Sequence, residues 1–373
     1  MDVNAVNEEI YLEFKKFGIE IPNISMDRGY WLIRTSAGEW YDEFSNHGFI
    51  GINWNELTRE NCKSDKRTEA EAIISKNYPE SKQPGKIIKN IIKFYEEIKK
   101  DDVVMIPDVN SKKINFGIVV EDDVYETLVP KEKIDKGYCP YRKRRKVKWV
   151  KEVSRNSFNL KLFRMMQSHN TISNANEYAD EIDSILNDFY LKGDLIHYKI
   201  KVAKEKDLNY KALRDLVNIP WVLADYIDTD YDLNELTTTI SVQSPGDQKL
   251  TGKGKKSVTF FIGMATLCSA PIVAIIGGEV NINSNGYSFK SEGVLKYIIK
   301  DDYSKLEEIN KKLEDIERLK KENNIKTPNV KEYILEETET EETEEIIDEN
   351  KKTKKIHKVK KTSKRTEKQT GEN

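Results

Sequence analysis

The sequence predicts an α+β protein whose N-terminal part is a small, partly closed β-barrel decorated by helices. Three observations carry that expectation. Between residues 28 and 155, β runs and helical runs follow one another and end in several successive strand-like segments. Lys86–Lys99 places Ile87, Ile88, Ile91, Ile92, Tyr95 and Ile98 at helical spacing, so one face of a helix is buried. Beyond residue 195 the texture changes to β runs, a broken helix and the most apolar stretch of the chain, which marks a second α+β unit.

The elements justify themselves in order. Residues 1–26 form a leader in which Glu8–Phe17 reads as a short helix stopped by Gly18. Gly29–Leu57 then gives a strand (Tyr30–Thr35), a turn at Ser36-Ala37-Gly38, an amphipathic segment (Glu39–Asn46) and a second strand (Gly48–Trp54). Three of the five tryptophans, Trp31, Trp40 and Trp54, fall here with Arg34 among them. Aromatic faces with one guanidinium suit a flat ligand such as an unpaired or flipped base. The same rings also suit a packed core. Glu69–Tyr78 reads as a helix ended by Pro79, and Lys86–Lys99 as one ended by Asp101-Asp102. Val103–Pro107, Lys112–Val120, Val124–Val129 and Arg145–Val153 read as strands.

Composition bounds the function. The chain of 373 residues has room for two domains and a tail; 38% hydrophobic and 34% charged residues describe a core diluted by a charged extension. A formal net charge of -2 leaves no global attraction to nucleic acid, so any such attraction is local. Cys62, Cys139 and Cys268 are far apart and make neither a disulfide framework nor a metal pair. His47, His169, His197 and His357 are equally scattered, so neither a zinc site nor any other metal site is expected. No phosphate-cradling GxxxxGK[ST] loop occurs, and no cofactor is expected. The first residues lack the pattern of a signal peptide, so a cytoplasmic location is expected.

A family resemblance rests on a series of features in fixed order. These are Trp31-x-x-Arg34, the Gly38 turn, Phe49-Ile50-Gly51-Ile52-x-Trp54, the long helix ending in Lys-Lys-Asp-Asp, the strand 102–107, Gly117-Ile-Val119, and Tyr141-Arg142 with Val147-Lys-Trp149. Together they resemble the PUA-like superfamily, closest to the EVE- and YTH-like domains at the N-termini of bacterial modification-dependent restriction and defence proteins. The resemblance covers residues 28–155. It implies a barrel that receives a modified base in an aromatic-lined pocket, with Trp31, Trp40 and Trp54 as pocket candidates.

The basic run Arg142-Lys143-Arg144-Arg145-Lys146 is the densest positive patch outside the tail. Tyr138 and Tyr141 precede it and Trp149 follows. Cations interleaved with aromatics fit a phosphate backbone with stacked bases, which makes Tyr141, Arg142, Arg144 and Arg145 candidates beside Arg34. They equally fit a strand edge guarded by lysines.

Residues 156–194 read as a helical connector, with a helix over Asn174–Leu191 whose Asp180, Glu181 and Asp183 occupy an exposed face. In the second unit, 195–300, Ser257–Gly278 is a run of 22 residues without charge. It fits either a transmembrane helix at an inner membrane or a buried helix plus strand divided near Pro271. Asp247-Gln248-Lys249 has the acid-x-lysine shape of a magnesium nuclease but falls in an expected Pro-Gly turn. Residues 303–325 form a charged helix whose Leu306, Ile309, Leu313 and Ile316 suit weak self-association. From 326 onward, an acidic block followed by a basic one reads as a disordered tail. The leading functional expectation is a non-enzymatic sensor of DNA or RNA, reading a modified or flipped base. A membrane-associated effector and a divergent magnesium nuclease are the alternatives.

Overall fold

The computed structural model of the chain describes residues 8–12, 21–202, 214, 231–240, 246–269, 280–282, 287–289, 318, 321 and 325–326. All of them fall within one unit, Met1–Glu332. The tail beyond Lys326, most of 303–325 and the expected helix over Tyr210–Asp225, apart from Arg214, lie outside the described residues.

The first sheet has seven strands: β2 (Tyr30–Ile33), β3 (Phe49–Ile52), β4 (Val103–Pro107), β5 (Lys113–Val119), β6 (Tyr125–Glu126), β7 (Lys143–Ser154) and β8 (Ile172–Asn174). Their order is β3-β7-β5-β4-β2-β8, with β6 on β7. Only β2 and β4 run parallel; the other pairs are antiparallel. Side chains alternate across this sheet, as a period of two requires. Trp31, Ile33, Val104 and Ile106 enter one core with Phe44, Phe49 and Phe94. Tyr30, Leu32, Val103 and Met105 enter another with Phe116, Leu162 and Ile182.

The long strand β7 curls the sheet into a half-barrel. Its first residues, Lys143–Lys146, pair with β3, and the rest pair with β5. A register shift at Phe116/Gly117 bends it. Gly117 is required there, because a Cβ would meet the Trp149 ring at 2.6 Å. Helix α1 (Tyr41–His47) is closed by Gly48 in the left-handed conformation, φ 66°. Two helices cover the inner core: α2 (Arg67–Asn77) and α3 (Pro84–Ile92), the latter with proline in its first turn. The expected long helix to Lys99 instead widens into a π-helical turn over Lys93–Glu97. A short helix, α4 (Lys131–Asp135), leads into β7.

The segment read as connector divides differently. Helix α5 (Leu160–Met165) precedes β8, which completes the half-barrel beside β2. Helix α6 (Ala179–Leu186) follows and stops early, so that Phe189–Lys192 becomes a strand, β9. Tertiary pairing overrode the helical spacing of this stretch. Asp183, expected on an exposed face, is fully buried. It accepts from the Tyr30 hydroxyl at 2.7 Å and from Lys192 at 2.7 Å.

A second sheet runs β1-β9-β10-β12-β11, from β1 (Asn23–Ile24) through β10 (Leu195–Val202) and β12 (Gly246–Lys253) to β11 (Thr237–Ile240). Asp247-Gln248-Lys249 therefore lies on a strand, opposite Lys201, Ile200 and Lys199, and not in a turn. Helix α7 (Lys256–Ser269) packs on this sheet, with Phe261 against Tyr198 at 6.4 Å. Gly252 leaves room for that ring, since a Cβ would meet Phe261 at 2.5 Å. The helix has 14 residues, about 21 Å, short of the roughly 30 Å hydrocarbon core. No helix among the described residues is long and apolar enough to cross a membrane. Residues 270–278 of the apolar run lie outside the described residues.

Candidate nucleic-acid interface

Two loops at one end of the half-barrel hold their backbones in the left-handed region. Ser36, Ala37 and Gly38 have φ of 53°, 57° and 98°, and Asn110 and Ser111 have 62° and 52°. Such conformations cost energy in residues with a Cβ, so packing must impose them. Here the Thr35 hydroxyl donates to the Pro107 carbonyl at 2.7 Å. Gly38 lies backbone to backbone against Val109, where a Cβ would come within 2.3 Å of the amide nitrogen.

This strained turn delivers Trp40 to the surface. Its ring stands edge-on to Tyr141 at 5.8 Å, and Tyr141 in turn leans on Phe44 at 6.5 Å. Both Trp40 and Tyr141 are half-buried. Burial raises the pKa of Tyr141, and the nearby Trp40 and Ser36 side chains counter it. Even so, the Trp40 Nε1–H finds no hydrogen-bond acceptor of good geometry among the described residues.

Trp54 sits on the adjoining turn with φ 66°, rare for a bulky residue. Its carbonyl accepts from the Lys143 ammonium at 2.9 Å. The next residue clasps the Tyr141 loop: Asn55 Nδ2 donates to the Pro140 carbonyl, and Asn55 Oδ1 accepts from the Arg142 amide, both at 3.0 Å. From the far side, Arg144 donates to the carbonyls of Tyr141 (2.8 Å) and Cys139 (3.1 Å) and lies 4.1 Å over the Phe49 ring. Glu43 holds the Cys139 amide at 2.6 Å.

The expected residues therefore separate. Trp40, Trp54 and Tyr141 share one end of the half-barrel, with Arg142 exposed beside them. Trp31 does not join them. It is 3% exposed, and its Nε1 donates to Asp102 at 2.8 Å. Asp102 also accepts from the amides of Gly29 (2.7 Å) and Lys99 (2.9 Å), so Trp31 belongs to a core network. Arg34 spends its guanidinium on the carbonyls of Met166 and Ser168, before β8. Arg145, expected on a phosphate, is fully buried. It donates to the carbonyls of Phe94 (2.7 Å), Tyr95 (3.1 Å) and Asp122 (2.7 Å). The π-helical turn supplies two of those carbonyls. Arg144 supports the loop that carries Tyr141.

Glu43, Asn55 and Asp102 were missed as organisers because each acts on a partner dozens of residues away. Burial pushes the Cys139 thiol up to about 12 and raises that of Cys62 as well, so both are held as thiols. What the arrangement offers is flat π surface, an unused N–H donor and a nearby cation.

A family model described as a domain of unknown function (DUF8426) matches residues 30–176. That span runs from the first residue of β2 to just past the end of β8, the extent of the half-barrel sheet. No curated protein matches the chain. Among solved structures, the YTH domain of Zygosaccharomyces rouxii MRB1 protein, crystallised in complex with N6-methyladenosine RNA, is similar at 13% identity with a TM-score of 0.24. The match covers 45% of this chain and 88% of that one.

Proposed function

We propose that the chain is a nucleic-acid-binding protein whose half-barrel receives a single unstacked base against Trp40, Tyr141 and Trp54. The observation that carries this reading is the half-exposed Trp40–Tyr141 pair with its unused indole donor, held out by a turn in a strained backbone conformation. Stacking of a base on aromatic rings is worth about 1–3 kcal/mol, and it tolerates any base because all have a π face. The Trp40 N–H adds selectivity for a base edge that presents an acceptor. That atom lies beneath the surface, so the Tyr141 ring must shift to admit the base. Arg142 supplies an exposed cation for the adjoining phosphate. The pattern of residues 28–155 adds the expectation that the base is a modified one.

The test is a filter-binding panel of single-stranded RNA and DNA, each with and without a methylated base. Retention should favour one modified oligonucleotide and fall with rising salt. Trp40→Ala should weaken binding by about tenfold or more, the equivalent of 1.4 kcal/mol. Equal retention of every oligonucleotide, or unchanged binding by Trp40→Ala, overturns the reading.

A further inference from the structure

A second site lies between the helices behind the half-barrel and the second sheet, away from the aromatic end. It is a cleft of about 370 Å³. Its walls are α5, through Lys161 and Leu162, and α6, through Asp180, Glu181, Ser184 and Ile185. Its floor is a row across three strands. Thr239 of β11 is paired with Lys249 of β12, and Lys249 with Lys199 of β10.

Two of the three lysines are neutralised. Lys161 meets Glu181 at 2.6 Å, and the buried Lys199 meets Asp188 at 3.0 Å. Lys249 meets no carboxylate within salt-bridge distance among the described residues; its ammonium lies 5.7 Å over the Tyr190 ring. Like charges directly opposite on a ladder are destabilising, and a desolvated ammonium without a counter-ion is costly. Burial depresses the Lys249 pKa and Lys199 reinforces this, while Asp180, Glu181 and Asp183 oppose it from α6. Beneath Lys249 the buried Tyr190 hydroxyl also has no partner among the described residues.

We infer that this cleft binds a small phosphate-bearing molecule, with Lys249 meeting the oxyanion and Thr239 beside it. An anion there would give Lys249 the counter-ion that Asp188 already gives Lys199. The volume falls within the range of small-molecule sites, enough for the body of a mononucleotide against Leu162 and Ile185.

The test is calorimetric titration of the full chain with inorganic phosphate, a nucleoside monophosphate and a short oligonucleotide. The wild type should bind phosphate or the monophosphate saturably. Lys249→Met should weaken that binding more than about tenfold, Lys249→Arg should retain most of it, and Lys146→Met, on β7 of the half-barrel, should leave it unchanged. Tighter binding of the monophosphate than of phosphate assigns the site to a phosphorylated metabolite, and equal binding assigns it to the free anion. If Lys249→Met unfolds the chain, Thr239→Val must still weaken the affinity. Unchanged affinity in every cleft variant, or binding of the oligonucleotide alone, overturns the inference.

Discussion

Lys143, fully buried on β7, donates its ammonium to the carbonyl of Trp54 at 2.9 Å, across 89 residues of sequence. The contact joins the basic run to the aromatic site from the inside: a lysine that reads as a phosphate ligand is a strut under a tryptophan. Lys143→Met keeps the packing volume and strands that carbonyl. It should cost about 1–3 kcal/mol in urea unfolding and weaken oligonucleotide retention along with stability.

Gly38 offers a sharper separation of backbone from side-chain effects. With φ 98° and only 2.3 Å between an added Cβ and the Val109 nitrogen, Gly38→Ala is strained twice over. We expect a loss of at least about 2 kcal/mol and displacement of Trp40, visible as a shift in tryptophan emission.

Arg142 and Arg145 sit three residues apart and should respond in opposite ways. Arg145→Ala removes the donor to three carbonyls in a buried site and should lower stability by about 3 kcal/mol or more in thermal unfolding. Arg142→Ala, at the surface, should leave stability within about 0.5 kcal/mol. It should reduce the slope of log affinity against log salt by about one.

His197 predicts an acid limb. Its ring stacks on Tyr190 at 4.6 Å and contacts the Thr251 hydroxyl at 3.0 Å. Burial, with Lys249 and Lys192 nearby, lowers its pKa from 6.5 to about 3. Between those values the unfolded chain holds a proton that the folded chain refuses. Stability is therefore complete above pH 6.5 and falls as pH drops towards 3, by up to about 1.4 kcal/mol per unit. Urea midpoints at pH 7 and 5 should show the wild type losing about 2 kcal/mol more than His197→Gln.

The strands of the half-barrel were readable because Val103–Pro107 and Tyr30–Ile33 are short apolar runs between breakers, and burial on both faces leaves no other reading. Asn174–Leu191 was misread because its helical spacing is real but local. Ile172 and Ser173 complete a sheet by pairing with Ile33 and Leu32, far upstream at the start of the half-barrel, and Phe189–Lys192 opens another. The tryptophans were the harder case. Trp31 and Trp40 differ by an acid, Asp102, that reaches the first from 71 residues away and leaves the second without a partner. Nothing in the spacing of the tryptophans encodes that. Likewise the burial of Arg145 follows from two carbonyls turned out by a wider helical turn, a feature that a periodicity of 3.6 hides.

The two-residue strand β1 has a practical consequence. Asn23 and Ile24 pair with Leu191 and Lys192 of the second sheet, yet they lie just upstream of the first half-barrel strand. The polypeptide is thus laced through both sheets before either is complete. A fragment begun at residue 28 strips an edge from the distant sheet, and one ended at residue 155 discards β8 from the near one. Dissection of this molecule by sequence boundaries would yield two damaged halves, so the aromatic end and the lysine-floored cleft are best assayed on the intact chain.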